Sequence, residues 1–257
     1  MRGRIEEKMP STAKTYIALI AALAATALTV AAYQWKPANL RQFVVFFTLA
    51  MVASTMKIRL PGLKTSISLN FVFILIGLAL FSFSETVLIG LGGALVQSLW
   101  RPLQRPKAVQ VFFNGACLTV CTAAAFWAAH ALPGMVGSSS AAAMMTVGAC
   151  VYVVLNTGLV SLVISLAEGQ SLKQLWPHCY EWTFPYFLVG AAIAGLASAA
   201  GQGNNFGVTL LVVPAMYFVY VYYRMHILRA VLDNLSNVSN GDETLVSAHR
   251  GSGVAHS

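Results

Sequence analysis

Charge is what this sequence has least of. Only 9% of its 257 residues are Asp, Glu, Lys or Arg, against about 25% in a soluble globular domain. So little charge cannot clothe a water-exposed surface, and the chain falls among integral membrane proteins. Catalytic signatures are missing too: there is no H-E-x-x-H, G-x-S-x-G, P-loop or C-x-x-C pattern. No Asp, Glu, Lys or Arg lies in the apolar stretches away from their ends, where intramembrane proteases and proton-coupled pumps keep an ionisable group. Glu85, Glu168 and Glu181 sit at the edges and read as solvated. No enzymatic activity, catalytic residue, cofactor or metal site is therefore expected. The cysteines Cys117, Cys121, Cys150 and Cys179 suggest no disulfide framework. Cys117 and Cys121 share a helix face without a neighbouring His or carboxylate, as small buried hydrophobes do. The net charge of +8 comes without interleaved Arg and aromatics, so no nucleic-acid partner is expected.

Apolar runs fill the space that charge leaves. Eight can be drawn, at 16–35, 39–56, 67–83, 85–100, 108–131, 141–167, 183–200 and 206–225. Each is long enough, or nearly so, for a hydrocarbon core of about 30 Å. The third and fourth are short, and a helical hairpin around Ser84 and Glu85 is one way to accommodate them. The first run exceeds a signal-peptide core of about 7–15 residues and has Glu6 and Glu7 in its flank, so it reads as an uncleaved span.

Basic residues orient the runs. With the N-terminus in the cytoplasm, the inner side holds Arg2, Arg4, Lys8 and Lys14, then Lys57, Arg59 and Lys64, then Arg101, Arg105 and Lys107. Lys173, Arg224, Arg229 and Arg250 join them, which leaves Lys36 and Arg41 outside. Trp35, Trp100, Trp127, Trp176, Trp182, Tyr222 and Tyr223 fall near span ends, at headgroup level. The expectation is an all-α polytopic bundle of about eight transmembrane helices with both termini cytoplasmic, in a bacterial inner membrane. A cytoplasmic segment (1–15) precedes the membrane domain (16–225); an exit helix (226–240) and a disordered tail (241–257) follow it.

Uncharged polar groups remain inside the runs. Asn70, Gln97, Asn114, Asn156 and Thr157 are the candidates for a ligand pocket. A carboxamide in lipid costs several kcal/mol unless partnered. Interhelical hydrogen bonding satisfies that need, and so does a shared cavity for a small uncharged ligand. Pro185 and Pro214 each free a backbone carbonyl and can act as a static bend or a hinge. Beyond Arg224, the residues Leu228, Val231, Leu235 and Val238 repeat at three, four and three, the spacing of a heptad seam. That seam fits a homodimer contact or an amphipathic end on the inner leaflet.

Several stretches in the same order carry a resemblance: "KIRLPGLKTSISLNFVFILIGLALFSFSETVLIG", "ALVQSLWRPLQRPKAVQVFFN", "VVLNTGLVSLVISLAEGQSLKQLW", "YEWTFPYFLVGAAIAGL" and "PAMYFVYVYYRMHILRA". Together they resemble a bacterial membrane sensor module of acidobacterial type, which stands N-terminal to GGDEF diguanylate cyclases and HD-GYP phosphodiesterases. The resemblance implies a sensory input domain whose last span continues into a cytoplasmic helix, here expected to act on a separate signalling protein. Nothing after Ala230 resembles a catalytic domain, so no activity transfers, and no ligand residues are carried over. The alternative is a membrane substrate-binding component for transport of a neutral solute, similar in style to the binding subunits of vitamin uptake systems.

Overall fold

A computed structural model describes residues 10–37, 39–59, 66–102, 105–135, 141–173, 177, 184, 187–196, 214–215, 217–226 and 228–229. The chain is helical. Its helices are α1 (Ser11–Tyr33), α2 (Leu40–Thr55), α3 (Asn70–Leu80), α4 (Phe83–Leu99), α5 (Ala108–Met135) and α6 (Ala141–Glu168). Then come α7 (Phe187–Leu196) and α8 (217–226). Three of them, α1, α5 and α6, are long and apolar enough to cross a membrane. Each apolar run expected from the sequence contains one helix.

One pairing breaks the helical pattern. Strand β1 (Lys57–Arg59) lies antiparallel to β2 (Ser66–Ser68), with Lys57 opposite Ser68. Because β2 takes the start of the third apolar run, α3 keeps only 11 residues, about 16 Å of helix. A helix that short does not span about 30 Å of hydrocarbon. It is instead enclosed by protein, every residue from Asn70 to Leu78 being buried. The helices α2, α4, α5 and α6 pack around it, and α7 closes on it where Phe187 meets the Phe71 ring edge-on at 4.6 Å. This explains why α3 is apolar from Phe71 onward, since a helix hydrophobic all round belongs in a core.

Helices α3 and α4 do form a hairpin, but its turn falls at Phe81 and Ser82, so Ser84 and Glu85 lie in the first turn of α4. Ser82 caps α4 and forms a reciprocal capping box with Glu85. Glu85 is also not solvated. It is 2% exposed, and its Oε2 accepts from Ser82 N at 2.9 Å and from Ser82 Oγ at 2.8 Å. The cap partners this one oxygen, while Glu85 Oε1 is buried without a hydrogen-bond partner among the described residues. Glu168, by contrast, is exposed at the end of α6, where Gly169 takes φ 68° to stop the helix. Glu181 lies outside the described residues.

The core centres on α3 and α5. Phe46, Phe73, Ile74, Ile76 and Ile89 belong to one buried cluster, and α5 packs against α1, α4 and α6. Cys117 and Cys121 are fully buried in it, whereas Cys150 is exposed on α6. The outward faces of α1 and α2 expose Leu19, Leu23, Val44 and Val45, as helices bathed in lipid do. Trp35, Trp100 and Trp127 are likewise exposed.

Candidate functional site

The C-terminal half of α4 gathers three of the five sequence candidates. Gly90, Gly93 and Ala94 leave this helix almost bare of side chain, so neighbours approach its backbone. The Asn70 carboxamide lies against Gly93, and its Nδ2 donates to the Ile89 carbonyl at 3.3 Å. One turn on from Gly93, the Gln97 Oε1 accepts from Ser68 Oγ at 2.8 Å. On the adjacent face, Asn114 Nδ2 donates to Ser98 Oγ at 2.8 Å, and Ser98 Oγ donates to the Ala94 carbonyl at 2.7 Å. At the helix end the Lys57 ammonium donates to the Trp100 carbonyl, which offsets the negative end of the helix dipole.

Most of these groups therefore satisfy one another across helices, the cheapest arrangement for amides in an apolar surround. An exception is the Asn70 Oδ1, which is buried and has no hydrogen-bond partner among the described residues. The other two candidates stand apart. Asn156 is half-buried on α6, and Thr157 Oγ1 donates to the Val153 carbonyl of its own helix at 2.6 Å. The structure thus groups Asn70, Gln97 and Asn114 about α4 and leaves Asn156 and Thr157 on α6.

A second feature is apolar. A cleft of about 350 Å³ lies between α2 and the last helix. Leu49, Val52, Ala53 and Met56 of α2 form one wall, Leu69 and Phe73 the floor, and Pro214 and Tyr217 the other wall. Pro214, a sequence candidate for a hinge, is thus beside empty space. Pro185 is outside the described residues.

Helix α8 is held by one face. Val219, Tyr220 and Tyr223 pack against the core, whereas Tyr217, Phe218, Tyr222 and Met225 are at least half exposed. Arg224 and Leu228 are exposed as well; Val231, Leu235 and Val238 fall outside the described residues.

Sequence reasoning missed the cleft, the Lys57–Trp100 clamp and the burial of Glu85. For Glu85 a signal existed: Ser82-Phe83-Ser84-Glu85 is the S-x-x-E pattern of a capping box. For the cleft none did, because it depends on the tertiary placement of α8. The chain matches no protein-family model, no curated protein and no solved structure.

Proposed function

We infer that this chain is a membrane-embedded sensory input module in which α8 is the moving part. The observation that carries the reading is the one-faced attachment of α8 over the apolar cleft beside Pro214. An occupant of that cleft, or a change in bilayer packing, interacts differently with the two positions of α8 and so shifts its equilibrium. The displacement passes along Arg224 and Leu228 toward Val231, Leu235 and Val238, and from there to a cytoplasmic signalling protein or a second copy of the chain. The proposed setting is a bacterial inner membrane, which the chain crosses several times, with both ends in the cytoplasm. The charge distribution and the apolar helices among the described residues support it. The reading assigns no catalysis to the chain.

Cross-linking tests it. Cysteines at Val52 and Tyr217, joined by a short bifunctional reagent, tie α8 across the cleft. The tied protein is expected to lose its response to changes in bilayer composition while keeping its melting temperature. An unchanged response would overturn the reading. The unpartnered Oδ1 of Asn70 favours a second reading, a binding component for transport of a neutral hydrogen-bonding solute. Uptake by proteoliposomes, abolished by Asn70→Ala, would select it over the first.

A further inference from the structure

Helix α5 is long and apolar enough to cross a membrane from Ala108 onward, so the residues just ahead of it lie at a bilayer surface. Those residues connect α4 to α5, and three of them, Arg101, Arg105 and Lys107, are exposed cations. None of the three forms an ion pair among the described residues, and no Asp or Glu occurs from Thr86 to Ala167. The acid that ends α6, Glu168, accepts from Gln170 Nε2 at 3.2 Å. The turn itself is held in a fixed shape. Arg101 takes φ 39°, a left-handed backbone that a non-glycine residue keeps only when its surroundings impose it. Beside it the Trp100 carbonyl accepts from the Lys57 ammonium. The Arg101 guanidinium sits 5.6 Å from the centre of the Trp100 ring, within cation–π range. Apolar side chains flank the cations: Leu99, Trp100 and Phe112 are 61%, 48% and 59% exposed. Cations beside exposed aliphatic and aromatic groups at a span end match a lipid that carries an anionic headgroup above its acyl chains. An acidic soluble partner would leave those apolar groups unused.

We propose that the α4–α5 connection binds anionic phospholipid at the bilayer surface. The phosphate lies among Arg101, Arg105 and Lys107, where a planar guanidinium offers two parallel N–H donors, and the acyl chains lie along Leu99 and Phe112. Trp100 joins this site to the rest of the fold, because its carbonyl is tied to Lys57, the residue after Met56 of the cleft wall. Headgroup binding thereby reaches the α2 side of the cleft. That last step rests on the sensory reading, whereas the lipid site does not.

The test uses the full chain in phosphatidylcholine vesicles containing a trace of phosphatidylglycerol with a diazirine in one acyl chain. Labelling is expected to concentrate on Leu99, Trp100 and Phe112 over Trp127, an exposed aromatic about 22 Å further along α5 from Phe112. The same diazirine carried on phosphatidylcholine is expected to label the two ends of α5 alike. Arg101→Gln or Arg105→Gln is expected to lower phosphatidylglycerol labelling about fivefold, since one basic residue at an anionic surface is worth about 1 kcal/mol. High salt is expected to lower it too. Excess unlabelled phosphatidylglycerol should compete, and soluble glycerol phosphate or polyglutamate should not. Equal labelling of Trp100 by both lipids, normal labelling of the Arg101→Gln, Arg105→Gln double variant, or competition by either soluble anion would overturn the proposal. If phosphatidylglycerol labels the turn and α8 does not move, the lipid site stands and the sensory reading falls. If α8 moves while neither lipid is preferred, the reverse holds.

Discussion

The carboxamide of Asn70 rests on the bare backbone of Gly93, so closely that a Cβ at position 93 would overlap its Nδ2, Cγ and Oδ1 atoms. This contact joins the start of buried α3 to the middle of α4. Gly93→Ala is expected to destabilise the protein by about 1–3 kcal/mol through overpacking. Combining it with Asn70→Ala should cost less than the two single changes together. Thermal unfolding in detergent measures both; strict additivity would show that the two residues do not share a contact.

Glu85 tests the correction at the other end of α4. Glu85→Ala removes the acceptor for the half-buried Ser82 N and Oγ, and each lost hydrogen bond costs about 0.5–1.5 kcal/mol. Glu85→Gln keeps one acceptor oxygen and should lose less. A ranking in which Gln is the worse of the two would mean that the capping bonds are not what Glu85 contributes.

The Asn114–Ser98 bond is read as helix-to-helix glue. Asn114→Leu should therefore lower stability by only about 0.6 kcal/mol, the average for such bonds in membranes. The same unfolding experiment checks it, and a loss of several kcal/mol would assign Asn114 a larger role.

In the proposed mechanism the seam residues beyond α8 carry the output. Changing Leu228, Val231, Leu235 and Val238 to Ser together is expected to abolish self-association in nanodiscs, read by chemical cross-linking, and with it any downstream cyclic-di-GMP effect. If both persist, transmission does not run through this seam.

The positions of the helices were legible in the sequence because hydropathy reports a one-dimensional property, the length of apolar chain. The 11-residue extent of α3 was not, because Ser66–Ser68 is polar enough for either a loop or a strand and only its pairing with Lys57–Arg59 decides. Among the site residues, the need of Asn70 and Asn114 for partners followed from desolvation alone. Which partners they find, Ile89 and Ser98, depends on the glycines and alanine of α4 facing α3 and α5. The cleft beside Pro214 is formed by three segments distant in sequence, and no local pattern encodes an empty volume.

Signalling as proposed requires α8 to move against α2. Spin labels at Val45 and Tyr222, both exposed, report that distance in a Cys150→Ser, Cys179→Ser background, with Cys117 and Cys121 protected by burial. A second pair at Val45 and Leu95 monitors the core. On passing from phosphatidylcholine to phosphatidylglycerol nanodiscs, the α2–α8 distance distribution is predicted to shift while the α2–α4 distribution stays fixed. An α2–α8 distribution identical in the two lipids would contradict the account.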